Sequence, residues 1–84
     1  MEKIKLLIVD DHRVLVEGLN KLFDNSDTVD VIGVAYSGKE CRSALRKELP
    51  DVILLDINLP DVSGIDLCKE IKTENPDIRI VALS

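Results

Sequence analysis

Short apolar runs alternate along the chain with segments in which apolar residues recur every three or four positions. The four runs occupy residues 4–9, 31–35, 52–55 and 78–83 and are rich in isoleucine, leucine and valine. Such runs are typical of strands in a parallel sheet that is covered on both faces. Because a helical segment separates each run from the next, the pattern predicts the order β-α-β-α-β-α-β, with right-handed crossovers and a parallel sheet.

The three helical segments show apolar stripes and signals for where each helix begins or ends. Ser37 and Glu40 have the spacing of a capping box at the start of the second helix, and Pro50 ends that helix. The third helix ends before Asn75 and Pro76. The stripes are Val14, Leu15, Gly18, Leu19, Leu22 and Phe23, then Cys41, Ala44, Leu45 and Leu49, then Ile65, Cys68 and Ile71, the last three of which are predicted to point inward.

Two of the apolar runs lead directly into aspartate residues. Asp10 and Asp11 follow the first run, and Asp56 follows the third. Parallel strands end at the same edge of a sheet, so these carboxylates are expected to meet if the sheet reverses direction between its first and third strands. Crowded carboxylates repel one another unless a cation binds them, and an all-oxygen site suits Mg²⁺ together with phosphate oxygens. The pattern therefore indicates a site for phosphoryl chemistry.

Composition narrows the class of protein. Eighty-four residues form at most one small domain, and a hydrophobic content of 45% favours a globular chain. The net charge of −5 and the aromatic content of 2% argue against direct contact between this segment and nucleic acid. No membrane span and no signal peptide are visible, so a cytoplasmic location is expected. Cys41 and Cys68 lack a metal-binding motif and are expected to be small buried residues.

Three motifs together carry a resemblance to a known family. They are Ile-Val-Asp-Asp-His at residues 8–12, Leu-Leu-Asp-Ile-Asn-Leu-Pro-Asp-Val-Ser-Gly at residues 54–64, and Ser84 after the fourth run. In this order they resemble the receiver domain of two-component response regulators, and Asp-Asp-His with Gly18-Leu19 most resembles the NarL/FixJ (LuxR-type) members. The resemblance covers the whole chain and implies a flavodoxin-like doubly wound α/β fold with strand order 2-1-3-4.

The resemblance also implies roles for particular residues. Asp56 would accept a phosphoryl group from a histidine kinase, and Ser84 would supply the switch hydroxyl that hydrogen-bonds to it. Mg²⁺ (or Mn²⁺) would be bound by Asp11, Asp56 and the main-chain carbonyl of Asn58, with Asp10 acting indirectly. The domain would switch an output domain of the helix-turn-helix, DNA-binding type and would not turn over a substrate as an enzyme does.

The sequence departs from the family pattern after Ser84. A full receiver continues with a helix, a fifth strand that carries an invariant lysine, and a final helix. Residues 1–84 are therefore expected to be an incomplete, C-terminally truncated receiver domain. This truncated domain is expected to be phosphorylated more slowly than a full receiver domain. The missing lysine would offset negative charge on the phosphoryl oxygens.

Other interpretations of the same residues stay open or rank lower. The main alternative is an assembly fragment, because the strand at residues 78–83 would lie at the sheet edge with only Arg79 as a protective charge, which favours self-association. A phosphatase of the haloacid-dehalogenase type ranks last, because it would need Asp-x-Asp where this chain has Asp10-Asp11-His12. His12 is expected to be a solvated residue of the first helical turn, since no second histidine or cysteine lies at ligand spacing.

Overall fold

The computed structural model describes residues 2–83, which form a parallel sheet flanked by helices. The strand order is β2-β1-β3-β4, and the three pairings between neighbours are parallel. The predicted doubly wound fold with strand order 2-1-3-4 is confirmed. The elements are β1 (Ile4–Val9), α1 (Arg13–Phe23), β2 (Val29–Ala35), α2 (Gly38–Lys47), β3 (Val52–Asp56), α3 (Gly64–Glu74) and β4 (Arg79–Leu83).

Side chains of β1 alternate between two hydrophobic cores, one on each face of the sheet. Leu7 and Val9 join the core that contains buried residues of α2 and α3. Leu6 and Ile8 join the core that contains the buried residue of α1. The alternation follows from the two-residue period of a strand. Because both faces are covered, all four positions are apolar, and β1 reads as an almost continuous apolar run.

Helix α1 buries less of its apolar stripe than the sequence suggests. Its fully buried side chain is Val16, which lies outside the predicted stripe. Leu19 and Phe23 are half-buried against the same core. In contrast, Val14 is 85% exposed, and Leu22 is exposed as well. Part of the apolar surface of α1 therefore stays outside the core formed by residues 2–83.

The capping box predicted at the start of α2 is present in a modified form. Ser37 is the N-cap residue, and its hydroxyl accepts a hydrogen bond from the Glu40 N–H at 3.1 Å. The Glu40 carboxylate accepts from the N–H of Tyr36 at 3.0 Å, one residue before the N-cap. Both side chains therefore satisfy backbone donors at the helix start, as predicted, although the second donor belongs to a different residue.

Two residues of the predicted stripes on α2 and α3 lie elsewhere. Leu49 follows α2 instead of belonging to it, because Glu48 already has an extended backbone ahead of Pro50. The prediction that Ile65 points inward is wrong, since this residue is exposed while Leu67 is buried. None of the helices described for residues 2–83 is long and apolar enough to cross a membrane.

Helices α2 and α3 share one core and are joined at its surface by an ion pair. Cys41 is buried in that core, as predicted, and burial raises the pKa of its thiol to about 11. Cys68 is only partly buried. The guanidinium of Arg42 donates two hydrogen bonds to the carboxylate of Glu70, at 2.8 Å and 3.1 Å. This pair links α2 to α3 at the edge of the core that the two helices share.

Candidate functional site

The carboxyl ends of β1 and β3 bring three aspartates together at one edge of the sheet. The two strands are neighbours in parallel register, so the residues that follow them leave the sheet side by side. Asp10 and Asp56 are almost fully buried, whereas Asp11 is exposed. One ligand atom from each of Asp10, Asp11, His12 and Asp56 lies within 4.8 Å of the others. The predicted meeting of the three carboxylates is confirmed, and His12 joins them.

Two of the carboxylates are fixed by main-chain N–H groups two residues further on. The N–H of His12 donates to Asp10 Oδ1 at 2.8 Å, and the N–H of Asn58 donates to Asp56 Oδ1 at 3.0 Å. These are Asx turns, which aspartate forms readily at the end of a strand. Among the described residues, the other oxygen of Asp56, Oδ2, is buried and has no hydrogen-bond partner. A buried carboxylate oxygen without a partner is costly, so Asp56 Oδ2 points to a ligand or a reaction.

The imidazole of His12 lies against this cluster. Its Nδ1 is 2.6 Å from Asp10 Oδ1, 3.4 Å from Asp11 Oδ1 and 3.6 Å from Asp56 Oδ2. The hydrogen bond to Asp10 and the nearby carboxylate charges raise the pKa of His12. The side chain is 67% exposed, which agrees with a solvated residue. However, His12 is the N-cap residue of α1 and not part of its first turn.

The donor atoms of the cluster fit a hard divalent cation. Carboxylate oxygens are the ligands that Mg²⁺ and Mn²⁺ prefer, and Asp56 Oδ2 has no protein partner. Ligands about 2.1 Å from one ion lie within about 4.2 Å of one another, so the 4.8 Å span of the cluster needs little adjustment. The acidic pocket of Asp10, Asp11 and Asp56 can therefore bind a metal ion.

The ligand role of the Asn58 carbonyl stays a prediction, and Ser84 with its predicted switch hydroxyl lies outside the described residues.

The loop between Asp56 and α3 is held by its own backbone. The N–H of Gly64 donates to the carbonyl of Ile57 at 2.8 Å, and Asn58 and Ser63 form an antiparallel bridge. A Cβ at Gly64 would overlap the carbonyl oxygen of Asp56 and the Cα of Ile57. Glycine therefore permits the close approach that folds this loop beside the buried carboxylate of Asp56.

Asp61 ties the same loop to the start of α2. Its Oδ1 accepts from the Gly38 N–H at 2.8 Å, and its Oδ2 accepts from the Lys39 N–H at 3.0 Å. These groups are donors that the first turn of a helix leaves unsatisfied, and their hydrogen bonds lower the pKa of Asp61. The aspartate of the Leu-Pro-Asp segment thus has a structural role and does not belong to the acidic cluster.

An apolar rim, which the sequence analysis did not connect with the site, lies beside the acidic cluster. Val14, Leu15 and Leu83 line the same depression as Asp10 and Asp56. Val14 and Leu15 belong to the predicted stripe of α1, yet both are exposed at this depression. Their position just after Asp-Asp-His is the one sequence signal that places them near the acids.

Comparison with known proteins identifies the family of this chain. The family model of the response regulator receiver domain matches residues 6–84. The chain is 38% identical over 81 residues to the DNA-binding transcriptional activator DevR/DosR of Mycobacterium tuberculosis, covering 96% of this chain and 37% of that protein. It is 37% identical over 84 residues to the protein-glutamate methylesterase/protein-glutamine glutaminase of Clostridium acetobutylicum, covering 100% of this chain and 24% of that protein.

A solved structure gives the same result for the fold. The non-phosphorylated receiver domain of the stress response regulator RcsB from Escherichia coli superposes with a TM-score of 0.90 at 28% identity, covering 99% of this chain and 66% of that chain. The present chain spans less than two fifths of the length of either curated relative. The strand order, the aspartates at two strand ends and the match over residues 6–84 all agree. The chain belongs to the response regulator receiver domain family of two-component signalling proteins.

Proposed function

We propose that this domain accepts a phosphoryl group on Asp56 from a histidine kinase. Mg²⁺ or Mn²⁺ would be held by Asp11, Asp56 and the main-chain carbonyl of Asn58, with Asp10 acting indirectly. The observation that carries the proposal is Asp56 Oδ2, which is buried beside two further carboxylates without a hydrogen-bond partner among the described residues. The N–H of Asn58 donates to Asp56 Oδ1 and so orients the carboxylate that would act as the nucleophile.

The transfer exchanges one bond to phosphorus for another. The Asp56 carboxylate attacks phosphorus in line, an O–P bond forms, and the P–N bond to the kinase histidine breaks with its electron pair returning to the imidazole. When bound, the divalent cation neutralises charge on the phosphoryl oxygens. The Asp10 and Asp11 carboxylates attract that cation, and the Gly64 loop holds Asp56 in place.

Phosphorylation would act as a switch and not as one step of substrate turnover. The phosphoryl group carries roughly −1.5 to −2 charges in place of the single charge of the Asp56 carboxylate, so negative charge increases next to carboxylates that already crowd the pocket. Such a change shifts the balance between two conformations, and the Ser84 hydroxyl is the proposed sensor. DevR/DosR is by name a DNA-binding activator, so we favour a helix-turn-helix output domain in a longer parent protein, of which residues 1–84 are part of the receiver.

Phosphorylation of Asp56 can be tested directly. Incubation with a small phosphodonor and Mg²⁺ is expected to add one phosphoryl group, which mass spectrometry of peptides should locate on Asp56. Asp56→Asn is expected to abolish the addition, because an amide is not a nucleophile of this kind. Asp27→Asn removes the same charge from an exposed turn and is expected to change nothing. Equal modification of the wild type and Asp56→Asn would contradict the proposal.

Assembly through β4 is a second candidate role. Among the described residues, β4 pairs with β3 on one side only, and Val81 at its centre is 50% exposed. A strand edge with unpaired N–H and C=O groups and apolar side chains pairs readily with another strand. Two-fold pairing of two copies of the chain would satisfy both edges at once, so it is the favoured form of self-association.

Sedimentation across a concentration series tests this assembly. The 84-residue chain is expected to self-associate, and Val81→Lys is expected to shift it towards the monomer by placing a charge in the edge strand. Leu22→Lys adds the same charge to an exposed apolar position on α1 and serves as the matched control. A monomer at every concentration, with the amides of β4 protected from hydrogen exchange, would rule the assembly role out.

A further inference from the structure

The side chain at the exposed end of the acidic pocket is an imidazole, and imidazole favours different metal ions from those that carboxylates favour. We propose that His12 is a metal ligand of this pocket through Nδ1, so that the pocket also binds Zn²⁺ and related transition ions with a mixed nitrogen and oxygen donor set. The inference rests on the metal-binding part of the proposed function. It goes beyond that function, which needs oxygen ligands alone.

The position of Nδ1 suits a ligand that shares one ion with Asp11 and Asp56. It lies 2.6, 3.4 and 3.6 Å from an oxygen of Asp10, Asp11 and Asp56. Two donors bound about 2.1 Å from the same ion are about 3.0 Å apart when their bonds form a right angle, and about 3.4 Å apart in a tetrahedral site. The distances from Nδ1 to Asp11 and Asp56 are close to these separations, whereas the 2.6 Å distance to Asp10 is a hydrogen bond that metal binding would have to break.

An independent observation points to the same place. Asp56 Oδ2 is buried without a hydrogen-bond partner among residues 2–83, and it lies 3.6 Å from Nδ1. That separation is too long for a hydrogen bond but ordinary for two ligands of one ion. The ring of His12 has no capping role either, because the side chain makes no cap hydrogen bond to α1.

The nature of the donors determines which ions gain from His12. Carboxylate and carbonyl oxygens suit Mg²⁺, Ca²⁺ and Mn²⁺, whereas imidazole suits Zn²⁺, Cu²⁺, Fe²⁺ and Ni²⁺. Mg²⁺ dehydrates reluctantly and keeps several waters, so it gains little from an exposed ring nitrogen. His12 is therefore expected to raise affinity for Zn²⁺ selectively. The pocket would then bind Zn²⁺ with the His12 imidazole as a ligand and Mg²⁺ without it.

The experiment compares Zn²⁺ and Mg²⁺ binding by calorimetry in the wild type, His12→Ala and His12→Gln. All three carry Cys68→Ser, because Cys68 is a free, partly accessible thiol that could bind Zn²⁺ itself. Both substitutions of His12 are expected to weaken Zn²⁺ binding about tenfold or more and to leave Mg²⁺ binding unchanged. The chain has one histidine, so after removal of any affinity tag the imidazole ¹⁵N spectrum reports on His12 alone. Zn²⁺ is expected to shift its Nδ1 resonance.

Two further variants separate failure of this inference from failure of the proposed function. If Asp11→Asn and Asp56→Asn leave the binding of both ions unchanged, the acidic pocket is not the metal site, and both proposals fail. If they weaken both ions while His12→Ala leaves Zn²⁺ binding unchanged, only the role of His12 is overturned. Tighter binding of both ions by His12→Ala would also overturn it, because the ring would then compete with the ion.

Discussion

Substitution of Gly64 by alanine is expected to destabilise the domain by about 1–3 kcal/mol and to disturb the acidic pocket as well. The new Cβ would overlap the carbonyl oxygen of Asp56 and lie 2.5 Å from the Cα of Ile57. Both are backbone atoms at the strand end that carries Asp56, so neither can yield without moving that residue. Domains have total stabilities of only about 5–15 kcal/mol, so the loss is a large fraction of the whole. Urea unfolding measures it.

Gly18→Ala is the matched control for this substitution. Gly18 is exposed within α1, and a Cβ there would have no other heavy atom within 4 Å. Alanine is expected to stabilise the domain by about 0.5–1 kcal/mol, because glycine loses more backbone entropy in a helix. The Asn58 amide, which is bonded to Asp56, should shift in Gly64→Ala and not in Gly18→Ala. An unshifted Asn58 amide with wild-type stability in Gly64→Ala would contradict the close approach at Asp56.

The convergence of the three aspartates is predictable from backbone rules once β1 and β3 are neighbours, which is the strand order that the family resemblance implies. Parallel strands must end at a common edge, and an apolar run shows where each strand ends. Asp10, Asp11 and Asp56 therefore come together without any knowledge of side-chain packing. The N-cap role of Ser37 is predictable for a similar reason, since its hydrogen bond with the Glu40 N–H is local and has a fixed spacing.

The remaining details depend on packing between distant elements, which spacing within one element does not encode. An apolar stripe predicts that a helix face is covered, but it does not show which residues of that face meet another element. In the structure, Val14 and Ile65 are exposed whereas Val16 is buried. The sequence predicts that His12 is a solvated residue, because no second histidine or cysteine lies at ligand spacing. Its neighbours in fact include Asp56, which arrives from a different strand. Ligands from separate strand ends have no characteristic spacing in sequence.

Asp56→Asn is expected to raise the free energy of unfolding by about 1–3 kcal/mol in metal-free buffer, even though it abolishes phosphorylation. The wild type buries a carboxylate whose Oδ2 has no hydrogen-bond partner among the described residues, next to the carboxylate of Asp10. Asparagine removes that charge, while its amide oxygen can still accept the hydrogen bond from the Asn58 N–H. The control Asp27→Asn removes one charge from an exposed turn and should leave stability unchanged.

Mg²⁺ is expected to offset most or all of the stability difference between the wild type and Asp56→Asn. An ion that binds the folded state at a concentration of one hundred times its dissociation constant adds about 2.7 kcal/mol to the free energy of unfolding. That gain belongs to the wild type, because Asp56→Asn lacks the carboxylate that would hold the ion. Urea unfolding, first with a chelator and then with Mg²⁺, measures the free energy of unfolding of both proteins in each condition. If Asp56→Asn is less stable than the wild type in the chelator, the buried oxygen is stabilised by something other than a bound cation. The electrostatic argument for the site would then fail even if Asp56 were phosphorylated.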